Sequence, residues 1–157
     1  MKTGIKAGMF SLGLLSSFLL YRTFYARHIV NQLPRIEYEV SKEEEKELGI
    51  KFSGLPQIKI EHVDGFGVYD HNINKLTISD NLFEITNFLL VDKNALRGVI
   101  AHELGHFYTD KLSEEETGKS WPNYDNCSLT EKLAIKQVSE GVAECFERKL
   151  THQQDKF

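Results

Sequence analysis

The chain has no cluster of basic residues and no internal repeat, and only two of its 157 residues are cysteine. Each absence excludes something. Without clustered Lys and Arg there is nothing to neutralise a run of phosphates, which argues against nucleic acid as a partner. Cys127 and Cys145 have no CxxC spacing, so they cannot form a zinc knuckle by themselves; a single disulfide and two free thiols both fit them. The longest apolar run is fifteen residues, which excludes a multi-spanning protein. What is present, 41% hydrophobic and 27% charged residues, is the balance of a globular domain and not of a disordered or collagenous chain.

Charge divides the chain unevenly. Residues 1–30 carry Lys2, Lys6, Arg22 and Arg27 and no acid, leaving 15 basic against 23 acidic residues from position 31 onward, a formal charge near −8. The fifteen residues AGMFSLGLLSSFLLY lie between Lys6 and Arg22. As a helix they reach about 22 Å against a hydrocarbon core of about 30 Å. Extended through Phe24, Tyr25 and Ala26, with Arg22 snorkelling, residues 7–26 read as a single-pass N-terminal membrane anchor. The alternative is an export signal, although no small-x-small cleavage site follows the run; a targeting peptide or a buried helix is the third option. Residues 31–157 then form one domain, whose roughly 127 residues suffice to bury about two-thirds of the unfolded chain's surface.

Within that domain, Pro34 predicts a break and Ser41 with Glu44 a capping box, opening a charged helix that stops at Gly49. Ile58, Ile60 and His62 alternate, as do Leu76 and Ile78 beyond the polar stretch 70–74, and Gly65 and Gly67 interrupt between them. This predicts a small, mostly antiparallel sheet. From Asp92, with Asp92 or Asn94 as cap, Leu96, Val99, Ile100, Leu104 and Phe107 form one apolar helical face. A polar loop over 113–126 leads to a second long helix, opened by a Ser128/Glu131 capping box and running to about Leu150. The fold class expected is α+β.

The first of these helices carries His102-Glu103-Leu104-Gly105-His106. Two histidines four apart project from one face, so their imidazoles can bind one zinc ion at about 2 Å, and Glu103 points to the side where an activated water would sit. A catalytic zinc needs a third protein ligand. One class of enzymes takes it from a His six residues past the second, with a Gly between; here Leu112 and Thr109 stand in those places. A carboxylate from the later helix is the other route, and Glu140 and Glu144, four apart, share a face there. That helix is apolar on both sides, with Leu129 and Leu133 beside the carboxylates and Ile135, Val138, Val142 and Phe146 opposite, which predicts that it is sandwiched with its carboxylates inside. Gly98 and Gly105 are placed to let the second helix approach the first.

HELGH followed by EGVAE resembles the gluzincin branch of zinc metallopeptidases, the thermolysin-like enzymes, over about 50 residues. The resemblance implies a zincin-like fold, a small sheet packed on the active-site helix and a later ligand-bearing helix. It implies Zn2+ held by His102, His106 and Glu140, with Glu103 as catalytic base and Glu144 as the acid that orients a ligand imidazole; Asp110 is a second candidate for that role. The activity implied is hydrolysis of peptide bonds in a peptide or protein substrate by a metal-activated water, here membrane-associated. The alternative is a non-catalytic zinc-binding scaffold of the same fold. In this family an extended substrate adds to a sheet edge, for which Leu76–Ser79 is the candidate strand. His62, His71, Tyr108 and Tyr124 are candidate donors to the oxyanion. So short a domain leaves little for a second lobe, and the cleft expected is shallow.

Overall fold

A computed structural model describes residues 3–83, 93–118 and 127–151, with side chains from residue 20 onward except those of residues 22 and 117. The order of elements is α1 (Thr3–Leu48), β1 (Gln57–Glu61), β2 (Gly67–Asp70), β3 (Lys75–Ser79), a 3-10 turn (Asp80–Phe83), α2 (Lys93–Thr117) and α3 (Leu129–Thr151). The α+β class is observed. The prediction of a mostly antiparallel sheet is corrected: the three strands are ordered β1-β3-β2, with β1 parallel to β3 and β2 antiparallel to it. The local hairpin β2–β3 is the antiparallel pair, closed by Asn74 at φ 47° and by Asp70 Oδ1, which accepts from the Asn72 amide at 2.9 Å. The β1–β3 pairing joins strands separated by β2 in sequence, and no local pattern announces it.

The helix α1 departs furthest from expectation. Pro34 lies inside it, and Ser41 is not a cap but a buried mid-helix residue whose hydroxyl donates to the Tyr38 carbonyl. An interior proline costs about 3 kcal/mol or more. Against this, Ile29, Leu33, Ile36 and Val40 are all buried at helical spacing, and each contributes about 1.5–3 kcal/mol. Packing therefore outweighs the break. Arg97 of α2, itself largely buried, adds a contact to Glu43 at 2.5 Å and one to Glu39 at 3.8 Å. Gly49, at φ 69°, ends the helix where the sequence places its stop.

The expected single-pass anchor over residues 7–26 is overturned, because no described helix is long and apolar enough to cross a membrane. Glycines and serines dilute the fifteen-residue run, Lys6 and Arg22 bracket it, and the helix that contains it continues unbroken across position 30 into the packed segment from Ile29 onward. Neither cysteine is in a disulfide. Cys127 just precedes α3 and Cys145 lies eighteen residues on, about 27 Å along a helix, which rules out a bridge between them.

The core is built on α2, whose Leu96, Ile100, Leu104 and Phe107 face Leu76 and Ile78 of β3, Ile36 and Val40 of α1 and Phe146 of α3 in one cluster. Phe52, after α1, stacks on Phe107 at 5.8 Å and meets Phe146 edge-on at 6.3 Å. The helices α2 and α3 touch at Gly105. A Cβ built there would lie 2.5 Å from Ala143 Cα and 3.0 Å from its nitrogen, so the crossing requires glycine. The Ser128/Glu131 capping box forms as expected, with the Ser128 amide donating to Glu131 at 2.8 Å.

Two carboxyls of α1, Glu37 and Glu44, are buried, and neither carboxylate oxygen of Glu44 nor Oε1 of Glu37 has a hydrogen-bond partner. Burial pushes Glu37 up to about 7 and Glu44 up to about 8, the latter with help from Glu43 and Glu47. The folded state thus holds protons that the unfolded chain releases near 4.5, so these groups cost stability progressively as pH rises from about 4.5 to about 8. Glu44→Gln is expected to match the wild type in melting temperature below about pH 4.5 and to exceed it by several degrees above about pH 8. Thermal denaturation followed across that range checks this; equal melting curves at alkaline pH would contradict it.

Candidate metal centre

The ridge of α2 that faces α3 carries His102 and His106 one turn apart, their rings 5.0 Å between centroids and nearly perpendicular. Because α3 crosses at Gly105, between the two histidines, Glu140 is brought over both rings. Its Oε2 lies 3.6 Å from His102 Nε2 and 3.8 Å from His106 Nε2. Donor atoms of His102, His106 and Glu140 all fall within 4.8 Å of one another, a group able to hold a metal ion. The remaining ring nitrogens point away. His106 Nδ1 is 2.7 Å from Ser139 Oγ, and His102 Nδ1 is 3.3 Å from Glu147 Oε2. With the proton on Nδ1 of His106 donated to the Ser139 hydroxyl, Nε2 is left as an acceptor facing Glu140. Burial, then the neighbouring His102, holds His106 below the usual histidine range, against the pull of Glu140, which favours the neutral ring that a metal requires.

Glu103 is buried to 6% exposure between α2 and β2 and accepts the Tyr69 backbone amide. Burial pushes its carboxyl up to about 7; the Tyr69 amide opposes the rise and Glu140 adds to it. The strand reaches this close because residue 67 is glycine: a Cβ there would lie 2.8 Å from Val99 Cγ1 and 3.1 Å from Glu103 Cγ. Asp110, buried at 3% exposure, accepts the Tyr69 hydroxyl at 3.3 Å. Burial, then that carboxylate, pushes the Tyr69 phenol up. A cleft of about 460 Å³ opens between β2 and α3, with His102, Glu103, His106 and Glu140 in its lining.

Not every expected residue is found in this cleft. Glu144 projects into solvent and pairs with Arg148 at 3.1 Å, and it is Glu147 that stands beside His102. Of the oxyanion candidates, His71 lines the cleft; His62 pairs with Asp80 on an exposed surface, and Tyr108 packs on Phe52 and Phe146. Tyr124 lies outside the described residues, as does Asp92. The candidate edge Leu76–Ser79 is the central strand β3, flanked on both sides; the edge beside α2 is β2. Leu129 and Leu133 are 75% and 60% exposed, so α3 is covered on one side only. Glu140 reaches the histidines because of the helix crossing and not through a second apolar face. Ser139 and Glu147 were not among the expected site residues. Their signal is position on the wheel: Ser139 directly precedes Glu140, and Glu147 follows it by seven residues, which returns to nearly the same face.

No protein-family profile, curated protein or solved structure matches the chain.

Protein dialysed against one equivalent of a divalent transition metal is expected to retain about one ion per chain by elemental analysis, and Glu140→Ala to lose most of it. Unchanged metal content in Glu140→Ala would remove Glu140 from the ligand set.

Proposed function

We propose that the chain is a zinc-dependent peptidase of the gluzincin kind, hydrolysing peptide or protein substrates with Glu103 as general base. The observation that carries this reading is a buried carboxylate, Glu103, lining the same cleft as two imidazoles and a second carboxylate that converge through single atoms. A metal store needs only the converging three. The donor set suits zinc, since two nitrogens and one oxygen bound tetrahedrally at about 2.0–2.1 Å are about 3.3 Å apart, close to the 3.6 and 3.8 Å separations of Glu140 from the histidines.

Zinc in such a site supplies Lewis acidity, lowering the pKa of water to about 7 and polarising a carbonyl. The remaining work falls to the chain. Glu103 takes a proton from the attacking water and returns it to the departing amine. The main chain of β2, an edge strand next to α2, offers pairing to an extended peptide whatever its side chains. Of the candidate oxyanion donors, His71, in the turn after β2, is one that lines the cleft.

Glu103→Gln is expected to keep its zinc and lose at least 100-fold in cleavage of a diverse peptide library, on the scale of about 10²–10⁴ for general-base catalysis. Wild-type protein that holds zinc yet cleaves nothing in that library would instead support the scaffold reading.

A further inference from the structure

The carboxylate that stands against His102 is not the one that family spacing selects. Glu140 faces Nε2 of this ring at 3.6 Å, and Glu147 faces Nδ1 at 3.3 Å, so α3 brackets the imidazole with one acid on each nitrogen. The reason is helical geometry. Seven residues along a helix return to within about 20° of the starting direction, whereas four overshoot it by about 40° to the other side. Glu147 therefore shares the face of Glu140, and Glu144 turns outward to Arg148. Gly98, one turn before His102, lies under the end of α3: a Cβ there would crowd Thr151 Cγ2 at 3.2 Å and meet Glu147 Cγ only at an ordinary contact distance of 3.7 Å.

We propose that Glu147 is the positioning residue for His102: its carboxylate takes the Nδ1 proton as a hydrogen bond, holding the ring with Nε2 toward Glu140 and making that nitrogen a stronger donor to a metal. A neutral imidazole carries one proton, and a metal bound on the Glu140 side requires that proton on Nδ1, where Glu147 waits for it. Ser139 serves His106 in the same sense through its hydroxyl, but it brings no charge. The two ligands are thus held unequally, and the loss of Glu147 falls on His102 alone. This inference rests on the zinc reading of the site. The Glu147 side chain is 43% exposed, so its removal leaves the core intact.

The test is zinc affinity, measured by competition with a chromophoric chelator, for the wild type and the Glu147→Ala, Glu147→Gln and Glu144→Ala proteins, together with nitrogen NMR of the histidine rings. Glu147→Ala is expected to weaken zinc binding about 10- to 100-fold, Glu147→Gln to weaken it less because an acceptor oxygen remains, and Glu144→Ala to stay within about twofold of the wild type. The NMR signature expected in the zinc-free wild type is the Nδ1-protonated form of His102, lost in Glu147→Ala. Affinity within twofold of the wild type for Glu147→Ala, or an equal loss in Glu144→Ala, would overturn the proposal while leaving the zinc site standing. A wild type that binds no zinc would overturn both.

Discussion

The contact between Gly105 and Ala143 is the constraint on which the site depends. It brings the backbones of α2 and α3 together at a position where no side chain fits, and the position lies between the two histidines. Everything the site does at atomic range follows from that placement. The helix α3 is near enough for the Glu140 carboxylate to reach both imidazoles, while Ser139, one residue before, and Glu147, two turns after, meet the outward nitrogens of the same rings. A methyl group at position 105 would push α3 away and draw Glu140 off the two imidazoles. The second close approach, of Gly67 to Val99 and Glu103, does the same for the strand that walls the cleft.

Around these contacts the molecule keeps its charged chemistry in a partly dry place. Glu103 is buried at the junction of α2 and β2, and the strand's own amide is the group that partly offsets the cost of that burial. Glu140 stays near the mouth of the cleft with 46% of its side chain exposed, where a ligand can exchange with solvent. A different arrangement holds on α1, where Glu37 and Glu44 are buried with unsatisfied oxygens and favour the protonated form. That helix packs on the core without lining the cleft, and its buried acids make its docking sensitive to pH.

Local patterns in the sequence carried part of this. The i, i+4 histidines, the Ser128/Glu131 cap, the Gly49 stop and the α+β class are all readable because each depends on residues within one or two turns of each other. The features that escaped depend on tertiary contact. Pro34 reads as a break until the stripe of Ile29, Leu33, Ile36 and Val40 is known to be buried. The central place of β3 depends on a pairing with β1 across an intervening strand. Glu144 and Glu147 are chemically identical and three residues apart; helical phase puts Glu147 on the face of Glu140, and the crossing of α3 over α2 turns that face toward His102. The apolar leader misled for a different reason: an uncharged run at a chain's start suggests a span, yet no described helix is long and apolar enough to cross a membrane.

Crystals grown with one equivalent of zinc and measured on both sides of the zinc absorption edge test the account most directly. A single anomalous peak is expected about 2.0–2.2 Å from His102 Nε2, His106 Nε2 and a carboxylate oxygen of Glu140, with Glu103 beside it but not ligating. A full-occupancy peak elsewhere, or one held through Nδ1 of either histidine, would contradict it.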